Sequence, residues 1–112
     1  MKIPAEGKLL RIFIGEADRW QGQPLYEAIV LLARKEGMAG ATVLKGFMGF
    51  GCKSHMHTAK ILRLSEDLPI IIEMVDSEEK INRFLPHLDE MVKEGLVTVE
   101  RANVILYKAD AG

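Results

Sequence analysis

One plan, strand–helix–strand, runs twice through this chain, and that order constrains the fold more than any other feature of the sequence. Lys8 to Ile14 (KLLRIFI) is a short run rich in β-formers and reads as a first strand. Gly15 to Gln23 is polar and glycine-bearing, hence a loop. Pro24 suits the first position of a helix, where its missing N–H is not needed. Leu25, Ala28, Ile29, Leu32 and Ala33 then fall on one helical face. Gly37 caps that helix, and Ala41 to Leu44 begins a second strand. In the second half Asp67 and Pro69 mark a turn, and Ile70 to Val75 reads as a buried strand. Asp76 is placed to cap the next helix, with Glu79 at the capping-box position. Ile81, Phe84, Leu85, Leu88 and Met91 form its buried stripe. Pro86 deletes one backbone hydrogen bond inside it, so a kink or break is expected there. Gly95 ends the helix. Leu96 to Val99 and Asn103 to Tyr107 make the last strand region, one bent strand or a pair, and Ile61 to Leu64 adds a short strand between the halves.

β-α-β-(loop)-β-α-β is the ferredoxin-like split pattern, an α+β fold with a four-stranded antiparallel sheet and two helices on one face. A chain of 112 residues is expected to form one domain, residues 1–112. Helices on one face only should leave the strands alternating apolar-in and polar-out. Here the alternation is poor. Leu9, Arg11 and Phe13 oppose Leu10, Ile12 and Ile14; Ile71, Glu73 and Val75 oppose Ile70, Ile72 and Met74. A second face this apolar is expected to pack against other copies of the chain, with Arg11 and Glu73 pairing on it.

Fifteen basic and sixteen acidic residues give a net charge of −1, so no broad basic field exists to hold nucleic acid. The one cysteine, Cys52, excludes an intrachain disulfide and fits a reducing cytoplasm. No apolar run approaches the roughly 20 residues of a membrane helix. MKIPAEGK has no apolar signal core, and the small polar tail from Ala109 to Gly112 is expected to fray.

The chemistry concentrates in residues 37–58, GMAGATVLKGFMGFGCKSHMHT. A strand enters a turn carrying Gly46, Gly49 and Gly51, which leads to Lys53, His55 and His57. Glycines let a backbone approach a ligand closely, and a lysine among exposed amides suits an anion. The same glycines can instead serve only a turn. Their spacing is neither a P-loop nor a dinucleotide fingerprint. His55 and His57 point the same way in an extended segment and, with Cys52, offer metal ligands, but a structural zinc needs a fourth and His87 lies on the distant second helix. No third group completes a catalytic set around Cys52. Glu78, Glu79, Asp89 and Glu90 read as solvated helix positions. Lys45 and Arg63 bracket the long loop and either reach a phosphate or face solvent. Trp20 is a loop anchor or a subunit contact.

The string GATV (Gly40 to Val43), the GFG turn (Gly49 to Gly51), and Lys53 and His55 after it resemble the PII-like signalling proteins, and more closely an uncharacterised branch of that superfamily. The βαββαβ order and length agree, so the resemblance covers nearly the whole chain. It implies a homotrimer, an adenine nucleotide in clefts between subunits, and a long loop that responds to the ligand and touches a partner, which in proteins of this type is often a membrane transporter or channel. By the same resemblance Thr42 would lie beside the base or ribose. The backbone around Gly49, Phe50, Gly51, Cys52 and Lys53 would line the phosphates; Lys45 joins the candidate ligand residues from its place at the loop's edge, not from the resemblance. Lys108 in VILYK would take the place of one of two phosphate-binding arginines; Leu106 stands where the other would be.

One region departs from the family pattern. Between the second helix and the last strand, PII proteins carry a glycine- and lysine-bearing phosphate loop, whereas this chain has only KEGLVTVER. Nor does the tyrosine that some PII proteins uridylylate have a counterpart between Gly51 and Leu64. Fewer cations imply weaker triphosphate binding, or preference for AMP, ADP or a cyclic nucleotide. The expectation is a non-enzymatic, cytoplasmic regulatory module requiring no cofactor. The alternative is a small metal-binding protein or enzyme using His55, His57 and Cys52.

Overall fold

Along the two central strands every second side chain is sealed from solvent. Leu10, Ile12, Ile14, Ile70, Ile72 and Met74 are 6% exposed or less, while the residues between them are half-buried. In the computed structural model, which describes residues 5–51 and 67–109, these strands are β1 (Glu6–Gly15) and β5 (Pro69–Asp76). They pair antiparallel with Leu10 opposite Met74, Ile12 opposite Ile72 and Ile14 opposite Ile70. β4 (Thr42–Lys45) flanks β5, and β6 (Leu96–Asn103) flanks β1. The sheet order is therefore β4-β5-β1-β6, antiparallel throughout. Two helices, α1 (Leu25–Lys35) and α2 (Glu78–Met91), lay their stripes on one face. Leu25, Ala28, Ile29 and Ala33 meet Ile81, Phe84, Leu88 and Met91 over the isoleucine rows in one core. This is the expected ferredoxin-like α+β fold.

The other face carries the half-buried Leu9, Arg11, Phe13, Ile71, Glu73 and Val75. By register the exposed Leu44 and Leu96 extend it to both edges. Arg11 pairs with Glu73 as expected, its Nε donating to Oε2 at 3.0 Å, and its Nη1 also reaches Glu100 at 2.6 Å.

Local chemistry departs from the sequence reading at several points. The 15–23 loop contains a hairpin, β2 (Arg19–Trp20) with β3 (Gln23–Pro24). Positive φ at Gln21 (47°) and Gly22 (83°) turns it, and Trp20 packs against the core. Pro24 precedes α1 with ψ 133° instead of opening it. Ser77, not Asp76, caps α2, its Oγ accepting from the Lys80 amide at 3.2 Å. Lys80 thus holds the third position that a capping box reserves for an acid, and Glu79 falls outside it. Asp76 is buried (2% exposed) and its carboxylate accepts from the amides of Ala39 (2.8 Å) and Ser77 (2.7 Å). α2 runs through the exposed Pro86 without a break. β6 stops at Asn103. Val104 adds one bond to the Ala5 carbonyl at 2.6 Å, but the VILYK segment is not strand. The strand expected over Ile61 to Leu64 lies outside the described residues. Among the described residues no helix is long and apolar enough to cross a membrane.

Candidate functional site

Where β4 ends, Gly46 extends its ladder by one bond, its amide donating to the Pro69 carbonyl at 2.8 Å. The turn then wraps the Pro69 ring. A Cβ on Gly46 would stand 2.7 Å from Pro69 Cγ, and one on Gly49 3.0 Å. Both positions must be glycine for the turn to lie this close to β5. Gly51 faces open space, and Phe47, Met48 and Phe50 are exposed.

Gly49, Phe50 and Gly51 line a first cleft of about 160 Å³ together with Phe13, Ile14 and Gly15 at the end of β1. Asp18, Asp67, Glu94 and Gly95 also line it. Gly95 holds the turn before β6 against β1, since a Cβ there would come within 2.6 Å of the Phe13 carbonyl oxygen. The described lining of this cleft is acidic, with three carboxylates and no basic side chain. Two of the three accept backbone amides: Asp18 from Gly15 and Asp67 from Ala17, each at 2.9 Å.

A second cleft of about 600 Å³ opens at the other end of β1. Thr42, Gly40, Leu9, Glu73 and Val75 line it, and residues 102–107 wall it. The turn entering β4 is fixed on both sides of one residue. The Ala39 amide is held by Asp76, and the Ala39 carbonyl accepts from the Tyr107 hydroxyl at 3.2 Å. Lys80 adds a bond from Nζ to the Gly37 carbonyl at 2.9 Å. Glu73 is itself held by Arg11, and the hydrogen bond to Glu73 is the largest cause keeping the Arg11 guanidinium protonated above its ordinary range.

The residues singled out from sequence are thus distributed. Gly49, Phe50 and Gly51 share the first cleft, and Thr42 stands on the second. Lys45 forms an ion pair with Glu16 at 2.8 Å, half-exposed and hence weak enough for a ligand to compete with. Lys108 is exposed beyond β6 and lines neither cleft, which corrects its placement in a strand. Cys52, Lys53, His55, His57 and Arg63 lie outside the described residues. Among the described residues no cluster of three or more metal-ligating side chains occurs. The sequence reading missed Asp67 and Glu94 as cleft residues: Asp67 reads locally as a turn former, and Glu94 carries no motif. It missed Tyr107 because nothing in a sequence couples that residue to Ala39.

Residues 7–104 match the model of the DUF190 family, described as "Uncharacterized ACR, COG1993". The UPF0166 protein MJ1524 of Methanocaldococcus jannaschii is 42% identical over 106 residues, covering 94% of this chain and 95% of that protein. Among solved structures, CPII of Thiomonas intermedia K12 is a nitrogen regulatory PII-like protein solved with ADP, AMP and bicarbonate. It superposes with a TM-score of 0.64 at 19% identity, over 92% of this chain and 97% of its own. A putative PII-like signalling protein of Thermus thermophilus gives 0.58 at 22% identity, over 88% and 87%. At these identities the structural likeness is one of fold, and that fold is PII-like.

Proposed function

We propose, from the premise that the chain belongs to the uncharacterised family DUF190, that it is a PII-like regulatory protein binding an adenine nucleotide between protomers. One observation carries this reading: the glycine turn and Thr42 stand on separate clefts at opposite ends of β1, with no described lining residue in common. Leu9 on one cleft and Phe13 on the other are four residues apart, about 13 Å of strand. The first cleft, about 160 Å³, is also smaller than the roughly 300 Å³ at which whole-ligand pockets begin. The first cleft reads as part of a site, completed when it meets the larger second cleft of a neighbouring protomer. The apolar second face of the sheet supplies the surface for such packing, and a homotrimer is the assembly proposed. The neighbour solved with ADP and AMP supports the ligand class.

In this scheme Thr42 contacts base or ribose. The backbone of Gly49, Phe50, Gly51 and Cys52, with Lys53, holds phosphate, Lys45 exchanges Glu16 for ligand, and Lys108, outside both clefts of the single protomer, reaches phosphate only across the contact between protomers. AMP, ADP, ATP or a cyclic nucleotide acts as effector, without a required cofactor and without turnover. The ligand favours one arrangement of residues 47–60 over another, by its difference in affinity for the two. That segment contacts a partner, a membrane transporter or channel, from the cytoplasm. Isothermal calorimetry with a nucleotide panel tests the reading. Binding of at least one adenine nucleotide, with a rise in Tm, is expected; an unchanged Tm and no heat across the panel would reject it.

A further inference from the structure

Glu94 stands in a position that the nucleotide reading does not use. The turn that carries it is fixed against β1 by the close approach of Gly95 to the Phe13 carbonyl. Glu94 lines the first cleft beside Gly49, Phe50 and Gly51, the backbone assigned above to phosphate. Asp18 and Asp67 also line it, but both accept backbone amides. Glu94 is exposed and, among the described residues, makes no hydrogen bond or ion pair. It is therefore the one carboxylate on the described lining of this cleft that no backbone amide holds in place, and its charge adds to those of Asp18 and Asp67.

We propose that Glu94 is a specificity-determining residue: its carboxylate sets the cleft against highly charged polyphosphates and selects the less phosphorylated adenine nucleotides. This deepens the function proposed above and rests on it. AMP carries roughly two negative charges at neutral pH and each further phosphate adds about one, so repulsion by a fixed carboxylate grows with phosphate number. The glycine turn lets an anion approach the backbone at short range, where one terminal phosphate docks. A carboxylate at the rim acts over a longer range and is felt most by the phosphates that follow. Discrimination of this kind uses a repulsive group against the unwanted ligand.

The test is calorimetric titration of AMP, ADP and ATP into the full chain and into Glu94→Gln, in EDTA at low and at high salt, with melting curves on both proteins. Glu94→Gln keeps the shape of the side chain, and at an exposed turn position it should leave the unliganded Tm unchanged. The expected result is a gain of about fivefold to tenfold in ATP affinity, a smaller gain for ADP and less than twofold for AMP, the ATP gain shrinking as salt rises. Equal changes for the three nucleotides, no change, or weaker ATP binding would overturn the role of Glu94 while leaving nucleotide binding intact. If neither protein binds any of the three, the nucleotide reading falls and Glu94 falls with it.

Discussion

Arg11 and Glu73 stand directly opposite each other on the two central strands, the guanidinium Nε donating to the carboxylate at 3.0 Å on the face that neither α1 nor α2 covers. The second partner of Arg11, Glu100, comes from β6, so one cation ties three neighbouring strands. A group whose folded pKa is raised contributes below its unfolded pKa. The contribution of Arg11 therefore holds through neutral pH and is lost only in strong alkali.

Arg11→Met tests what this triad is for. In an isolated protomer the pairs are half-exposed, and Tm should fall only slightly, with salt masking the change. In the proposed assembly the same substitution leaves two carboxylates on a packed face. Dissociation, followed by light scattering on dilution, should therefore set in at a higher protein concentration. A mass that is unaffected by dilution in both proteins would count against packing through this face.

Phe84 is the largest side chain sealed in the core, 1% exposed and between the two helical stripes. Phe84→Ala should cost about 3–5 kcal/mol in urea unfolding, the range for emptying such a site. A loss below about 1 kcal/mol would mean that α2 does not pack as described.

The Asp76 carboxylate accepts two backbone amides out of reach of water. Asp76→Ala strands both donors and should cost about 1–3 kcal/mol; Asp76→Asn, which keeps one acceptor oxygen, should lose less. Amide exchange followed by NMR should show Ala39 and Ser77 opening faster in the alanine variant. Protection at Ala39 equal to that of the unaltered protein would contradict the bond.

Gly95→Ala places a methyl group 2.6 Å from the Phe13 carbonyl oxygen, so the turn or the strand must move. The loss in stability should be on the order of 2 kcal/mol, and AMP affinity should fall with it as the lining of the first cleft shifts. A fully stable Gly95→Ala protein would show that the close approach is not needed.

Much of the fold was legible because hydrophobic periodicity switches cleanly between strand and helix: Leu10, Ile12 and Ile14 against Leu25, Ala28 and Ile29. The Arg11–Glu73 pair was legible because each is the lone charge on its strand's second side. Caps were not, since Asp76 and Ser77 are both competent and only tertiary burial of Asp76 decides between them. The β2–β3 hairpin escaped because its strands are two residues each, too short to show alternation. Of the candidate site, the glycine turn was readable as a local motif. The carboxylates on its cleft come from three loops far apart in sequence, and nothing local joins Glu94 to Gly49.

Native mass spectrometry of the full chain with AMP and ADP tests the central claim most directly, because it counts subunits and bound nucleotide together. The account expects a species of three times the 12.5 kDa chain, carrying up to one nucleotide per subunit interface. A monomer that binds nucleotide by itself, or an assembly that takes up none, would contradict a site shared between protomers.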